Sequence, residues 1–474
     1  MKLQLKNINF KKIILPTIIY ALFFVEFFLF NNIYGKDFLV IMSFFLIGLI
    51  SLTAIYLSPH VISSFKMVNF FIFFFFYYFA LKQYCNGTVI WEFMHQYNFL
   101  NADFIYTNLI VLLFMAILYS IYYLLIIKTN RSQKYRVDMT TPFSRFCEGE
   151  IMLSKSKTFI LTAISIILFL IFGVVFGFGS LFGVADAKIV FNSTIELILT
   201  RFVRLIPFAI VLILLNSNKN GVSKKWYALC LIINIISSFC LCFPFGGMAR
   251  YCVALVGIAI LLKFVLKYIK SKSFIAITML IAIMVIFPTI NFFRNNSLSD
   301  LSNFGVVFSN YSSGDFDAYQ MLMTTIKFVQ INGVGHFSNI ITAILFFIPR
   351  CIWSSKMIGT GHYVATMSGS DFTNLSCPFI AEGYFALGLA GVLLMTLILA
   401  VVLVLTDNNL LTHSTFKNSI AYIVVGLMFF IMRGDLLSTY SALVGAILAV
   451  VFIYIILHII SRIRFRREVK HVRQ

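Results

Sequence analysis

The chain has 474 residues, of which 61% are hydrophobic and 11% charged, with 55 phenylalanines and a formal net charge of +20. A soluble domain carries roughly 25% charged residues, so this composition excludes a soluble globular enzyme, while repeated apolar runs of about 20 residues read as transmembrane helices. The basicity is not a nucleic-acid footprint, because its placement follows membrane topology.

In chain order, apolar runs predict spans near 13–31, 38–57, 67–81, 104–127, 158–178, 196–215, 226–243, 251–269, 273–292, 378–406, 418–433 and 436–461. The first follows Lys2, Lys6, Lys11 and Lys12, lacks a small-residue cleavage site and leads at once into another apolar run. It reads as a retained helix rather than a signal peptide. With the N-terminus inside, the inner loops, helix ends and tails hold 26 of the 37 Lys and Arg, including seven in 128–157 and six from Arg462 to Arg473. That bias places both termini in the cytoplasm. The apolar stretch Ile340 to Pro349 has only ten residues, too few to cross a core of about 30 Å. Counting it as a span would also carry the basic tail outside, so segment 338–349 is expected to re-enter or to lie in the interface.

The expected architecture is therefore an all-α polytopic membrane protein of about twelve spans. A nine-helix bundle covers 1–292, a large outer loop 293–377, three C-terminal helices 378–461, and a basic cytoplasmic tail 462–474.

Residues 290–377, mixed in polarity, are where such a protein would keep its chemistry. Acid–base candidates in and beside this loop are Asp315, Asp317, His336, His362 and Glu382. Asp315 and Asp317 sit in turn chemistry before a predicted helix, so Asp315 can simply cap it. His336 lies on a glycine turn, AsnGlyValGlyHis, and its ordinary pKa suits a general base. Glu382, about one turn into the tenth span, is either a functional group or the ionic partner of an outer arginine. Glu26, a lone acid in the first span, reads as an internal hydrogen-bond partner.

Arginine use differs by side. Only eight of the 26 inner basic residues are Arg, against six of eleven on the outer side and within spans: Arg201, Arg204, Arg250, Arg294, Arg350 and Arg433. Arg grips phosphate or carboxylate bidentately where Lys does not. Arg201 and Arg204 share a helical face inside the sixth span, where a charge is costly and usually faces a cavity or a partner. Glu196 and Asp186 are possible partners. Arg250 follows GlyGlyMetAla at a helix start, which favours an anion, and Arg294 closes the ninth span. The preferred reading is an outer anion site of Arg201, Arg204, Arg250, Arg294 and Arg350.

The eight cysteines show no CxxC or CxxH spacing, which argues against zinc or redox chemistry. Cys351 and Cys377 share the outer loop and either pair or remain as free thiols. There is no Walker sequence, no GxGxxG after a strand and no GxSxG, so ATP-driven transport and nucleotide-sugar chemistry lose support. No cofactor or metal is implied.

Three stretches then resemble a family: PheIleProArgCysIleTrpSerSerLys (Phe347 to Lys356), AsnLeuSerCysPro (Asn374 to Pro378) and GluGlyTyrPheAlaLeuGlyLeuAlaGly (Glu382 to Gly391). With GlyAspPheAspAlaTyr (Gly314 to Tyr319) and Arg294, they look like a Wzy-type O-antigen or capsule repeat-unit polymerase over residues 290–391. Ser354, Ser355 and Met357 depart from the family's proline-rich pattern, which weakens a binding role for Lys356. The resemblance implies a GT-C-like architecture and a metal-independent glycosyl transfer on the outer face of the bacterial plasma membrane, part of lipopolysaccharide or capsule biosynthesis. Undecaprenyl-pyrophosphate-linked oligosaccharides would be donor and acceptor, and such polymerases commonly work with a chain-length regulator. In that reaction His336 is the first choice of base, followed by Asp317 and Glu382. The five arginines would hold the pyrophosphate, and Trp353, Tyr319 and Tyr384 would stack on sugars. An O-antigen ligase, or a lipid-linked oligosaccharide flippase or ion-coupled carrier, are the alternatives, although no internal repeat of the carrier kind is evident.

Overall fold

The computed structural model describes residues 18, 20–25, 33–58, 60–87, 94, 96–132, 151–181, 198–199, 201–219, 221–242, 250–268, 272–283 and 316–472. In chain order the helices are α1 (Phe38–Leu57), α2 (Ser64–Phe71), a π-helical segment (Ile72–Tyr78), α3 (Phe79–Asn86), α4 (Asn101–Ser132), α5 (Lys155–Phe176) and α6 (Phe178–Leu181). A 3₁₀ turn (Val203–Leu205) follows, then α7 (Ile206–Asn216), α8 (Lys224–Cys242), α9 (Arg250–Tyr268) and α10 (Lys272–Ile281). The rest are α11 (Ala318–Asn332), α12 (Ser338–Ile344), α13 (Thr360–Met367), α14 (Phe379–Leu410), α15 (Thr415–Arg433) and α16 (Leu436–Val472). The strands among the described residues are a two-residue parallel pair, β1 (Met152–Leu153) and β2 (Asn218–Lys219).

Eight helices among the described residues are long and apolar enough to cross a membrane. The chain is thus an all-helical, multi-pass membrane protein, as its hydropathy implies. The predicted first span falls largely outside the described residues. The predicted sixth span differs from expectation. Its described part is a 3₁₀ turn over Val203–Leu205 followed by an eleven-residue helix with proline in its first turn, so Arg201 and Arg204 do not ride on one regular α-helix.

The chain divides into two compact units. The first comprises 1–128, 268–404 and 428–438. At its heart runs Ser64–Asn86, whose apolar window is 100% buried. A helix apolar all round belongs in an interior, and here the run from Ile72 to Tyr78 supplies six buried aromatic side chains to the core. Gly48 of α1 lets the Tyr77 ring approach closely; a Cβ there would lie 2.6 Å from it. Local chemistry sets the helix starts: Asp37 accepts from the Leu39 and Val40 amides, and Ser63 from that of Lys66. Tyr319 on α11 donates to Asn108 of α4 over 2.8 Å, and Lys327 pairs with Asp103 over 2.8 Å. Those two bonds fix α11 against α4 at its start and in its second half.

The second unit comprises 129–267, 405–427 and 439–474. Trp226 and Asn234 of α8 donate to Thr158 and Thr162 of α5. Such polar bonds between helices tie segments that have no hydrophobic drive to associate in lipid. Phe172, Leu181 and Leu241 form one buried apolar cluster in it among the described residues.

The tenth predicted span is not one straight helix. Leu387 (φ −151°, ψ 30°) and Gly388 (φ 60°, ψ −140°) break α14, separating a short head, 379–386, from a long arm, 389–410. The break folds Gly383 back against Gly391: a methyl on Gly391 would overlap the Gly383 carbonyl oxygen. Gly388 sits where essentially only glycine is comfortable. The glycines of GluGlyTyrPheAlaLeuGlyLeuAlaGly therefore make a fold-back, and its head carries Glu382.

Candidate functional site

Residues from five places in the first unit converge on two carboxylates. Asp317 precedes α11 but does not cap it. Its 1%-exposed carboxylate instead accepts the Ser376 amide (2.8 Å) and pairs with the Arg433 guanidinium at the end of α15 (2.8 Å). Breaking a buried pair leaves one charge stranded, so the contact constrains both elements whatever its net worth.

Glu382 lies one residue from the fold-back glycine and is 1% exposed. One oxygen accepts from the Asn339 amide of α12 (2.6 Å) and the Thr360 hydroxyl of α13 (2.7 Å); the other accepts the Leu436 amide at the start of α16 (2.7 Å). Asn339 also donates to the Glu382 carbonyl oxygen (3.0 Å). Four helices thus meet on one side chain, through neutral donors that saturate a carboxylate's acceptors. Asp435 stands beside it: it precedes Leu436, and a Cβ on Gly359 would lie 3.0 Å from its carboxyl group. Gly361 is required too, because a side chain there would overlap the Leu375 and Ser376 carbonyl oxygens. Cys377, fully buried, closes the cluster. Burial first, and then the neighbouring Glu382 and Asp435, push its thiol well above the ordinary range. It is a free thiol, as is the exposed Cys351, so the two do not pair.

In front of this cluster lies the segment from His336 to Met357. His336 (φ 47°) and Phe337 (φ 63°) are consecutive left-handed residues, a rare conformation for side chains other than glycine. The turn is held from behind: the Gly335 amide donates to the Phe385 carbonyl (2.7 Å), and a Cβ on Gly335 would overlap the Phe385 ring. His336 itself is exposed. Past α12, Lys356 is buried and donates to the Leu345, Phe346 and Ile348 carbonyls (3.3, 2.7 and 2.9 Å). Burial, with Arg350 nearby, lowers its pKa. Lys356 is thus a helix-end cap, in line with the weakened binding role that its sequence context implies. Arg350 is exposed and donates to the Met357 carbonyl at 3.4 Å; Trp353, half-buried, donates to Ser355.

The structure therefore brings Asp317 and Glu382 together and places His336, Arg350 and Trp353 on the segment before them. Tyr384 is 5% exposed with its hydroxyl 3.2 Å from that of Tyr106. Tyr319 is fully buried and its ring packs against Phe44, Phe76 and Phe104. A ring so enclosed offers no face to a sugar, so Tyr319 is a packing residue in this conformation. Arg201 and Arg204 belong to the second unit, where Arg204 is 6% exposed over the rings of Phe172 and Phe176 (5.3 and 5.2 Å). Arg250 begins α9, with its side chain outside the described residues; Arg294 and Asp315 also lie outside them.

Sequence reasoning missed Asn339, Thr360, Asp435 and the role of Arg433. Only ArgGlyAsp (Arg433 to Asp435), two opposite charges in a tight turn between long apolar spans, carried a usable signal. Among the described residues, no group of three His, Cys, Asp or Glu is arranged to hold a metal ion. No family model, curated protein or solved structure matches this chain.

Proposed function

We propose that this chain is a membrane glycosyltransferase that polymerises lipid-linked oligosaccharide repeat units. In this reading twelve spans in a GT-C-like arrangement hold 293–377 on the outer face of a bacterial plasma membrane. The acceptor hydroxyl oxygen attacks the anomeric carbon of the donor glycan, and the bond from that carbon to the pyrophosphate oxygen breaks. The electron pair leaves with undecaprenyl pyrophosphate, and the hydroxyl proton passes to a base.

One observation carries the reading: an exposed imidazole and an exposed guanidinium, His336 and Arg350, flank α12, which Glu382 braces from behind through Asn339. His336, an exposed imidazole on a strained turn, is the residue assigned to take the acceptor proton. Arg350 offers a planar fork to the departing pyrophosphate, whose charge needs positioned cations rather than a strong acid. Asp317 and Glu382, each engaged with several donors, are positioning residues that hold the segment; Trp353, half-buried, is the candidate sugar contact, whereas Tyr384 is enclosed like Tyr319.

A second reading, an ion-coupled carrier of the same lipid-linked glycan, rests on Glu382: buried carboxylates without a nearby cation often mark proton relays in membranes. Surface glycolipid from cells lacking the chain separates the readings. A core capped by a single repeat unit is the expected result for a polymerase; complete loss of glycan would point to a carrier or a ligase instead. His336→Ala and Arg350→Ala, present at normal levels, are each expected to fail to restore the polymer ladder. Full ladders from both would end the catalytic assignment.

A further inference from the structure

The segment Ile341–Ile358 is built inside out. On α12 the protein-facing positions are Asn339, Thr342 and Ala343, all buried, whereas Ile341 and Ile344 are 47% and 52% exposed. Beyond the helix the same surface continues with Phe347 (66%), Ile352 (77%) and Ile358 (45%). A water-facing helix shows the opposite pattern, with polar residues outward. Five large apolar side chains exposed within eighteen residues form a patch that a soluble surface rarely carries.

The folding of the segment is deliberate rather than loose. Lys356 gathers three carbonyls, the Ile352 and Trp353 amides both return to the Pro349 carbonyl, and the Ser338 hydroxyl reaches the Met357 sulfur (3.4 Å). Backbone polar groups are thereby satisfied internally, a requirement at the edge of hydrocarbon. At seven residues, α12 rises only about 10 Å along its axis, far short of a crossing.

What covers the patch follows from its anchor. Gly335 and Asn339 bond to Phe385 and Glu382 at the head of α14. Just past the break, that helix exposes Leu389, Leu393, Leu394, Leu397, Ile398 and Val401 at 39–48%, a three-to-four spacing that faces lipid along a membrane span. The inside-out patch is thus continuous with a lipid-facing stripe and begins where that stripe starts. Arg350, exposed within the patch, suits the phosphates of a headgroup layer, and Trp353 has the amphipathic ring favoured at such interfaces.

We infer that Ile341–Ile358 lies flat in the lipid interface at the head of α14, with Ile341, Ile344, Phe347, Ile352 and Ile358 in the acyl boundary and Arg350 among headgroup phosphates. The placement does not rest on the polymerase reading. If that reading holds, the segment delivers His336 and Arg350 to the depth of a lipid-borne pyrophosphate.

The test uses the full chain in nanodiscs of mixed phosphatidylethanolamine and phosphatidylglycerol. Nitroxides are placed singly at Ile344, Phe347 and Ile352 in a Cys351→Ser background, with the identically treated parent chain subtracted. Label at Leu397 is the lipid reference and label at the exposed Asp371 the aqueous one. Power saturation should give oxygen-to-nickel-chelate accessibility ratios several-fold above Asp371 and close to Leu397, at two or more of the three positions. Ratios matching Asp371 would overturn the inference. Low accessibility to both reagents would overturn it as well, because protein rather than lipid would then cover the patch. Three separate positions keep the result decisive if one substitution fails to fold.

Discussion

Arg433 illustrates how one side chain sets the terms for its neighbours. Its partner Asp317 is 1% exposed, and its own side chain 28%, so losing the guanidinium strands a carboxylate inside protein. Arg433→Ala is therefore expected to cost about 3 kcal/mol or more in detergent unfolding, because removing one partner of a buried pair is far worse than removing both. The double variant with Asp317→Asn should be less destabilised than the sum of the two single changes, which a double-mutant cycle measures. Additive losses would mean that the pair is not coupled. Glu382 differs: its partners are an amide, a hydroxyl and a backbone N–H, and it is held by hydrogen bonds rather than by opposite charge. None of this grouping was visible locally in the sequence. Asp317 and Glu382 were legible as acids in an apolar context, but their partners at 339, 360, 376 and 433 were not, because those contacts join residues up to 116 positions apart.

At the scale of elements, the fold-back in α14 decides where Glu382 goes. Gly388 lies at φ 60°, ψ −140°, a region in which a non-glycine residue carries about 1–3 kcal/mol of strain. Gly391 has the Gly383 carbonyl against its Cα. Gly388→Ala should lower stability by that range, and Gly391→Val should do more by pushing head and arm apart. Under the proposed polymerase function, both should also reduce polymer length in cells by displacing Glu382. Thermal unfolding of the purified variants, set against their glycolipid ladders, checks the pair of effects. Unchanged stability for Gly388→Ala would show that the backbone break is not required. Hydropathy located most spans to within a few residues, since 38–57 and 226–243 correspond to helices at Phe38–Leu57 and Lys224–Cys242. It read 378–406 as one run because the break falls among residues that are apolar on both sides. The sixth span, where Pro207 and a 3₁₀ turn interrupt the regular repeat, escaped it for a similar reason.

For the molecule as a whole, thiol chemistry offers a direct check of sidedness. Cys351 is exposed, whereas Cys377 is fully buried with its thiol held protonated well above the ordinary range. A membrane-impermeant maleimide applied to intact cells with a permeable outer layer should label Cys351 rapidly and leave Cys377 untouched until denaturation. Labelling of Cys351 in inverted membrane vesicles but not in intact cells would place the segment on the other side and reverse the proposed topology. The sequence by itself determined the solvent, the class and most of the span positions, because transfer of apolar side chains into lipid is a local, roughly additive property of each run. It also marked the segment around Arg350 as chemically unusual. Only the tertiary structure decided which acids meet, which aromatic rings are enclosed and which apolar residues are left outward. Those outcomes depend on contacts between distant segments and on two backbone breaks, neither of which a local hydropathy pattern encodes.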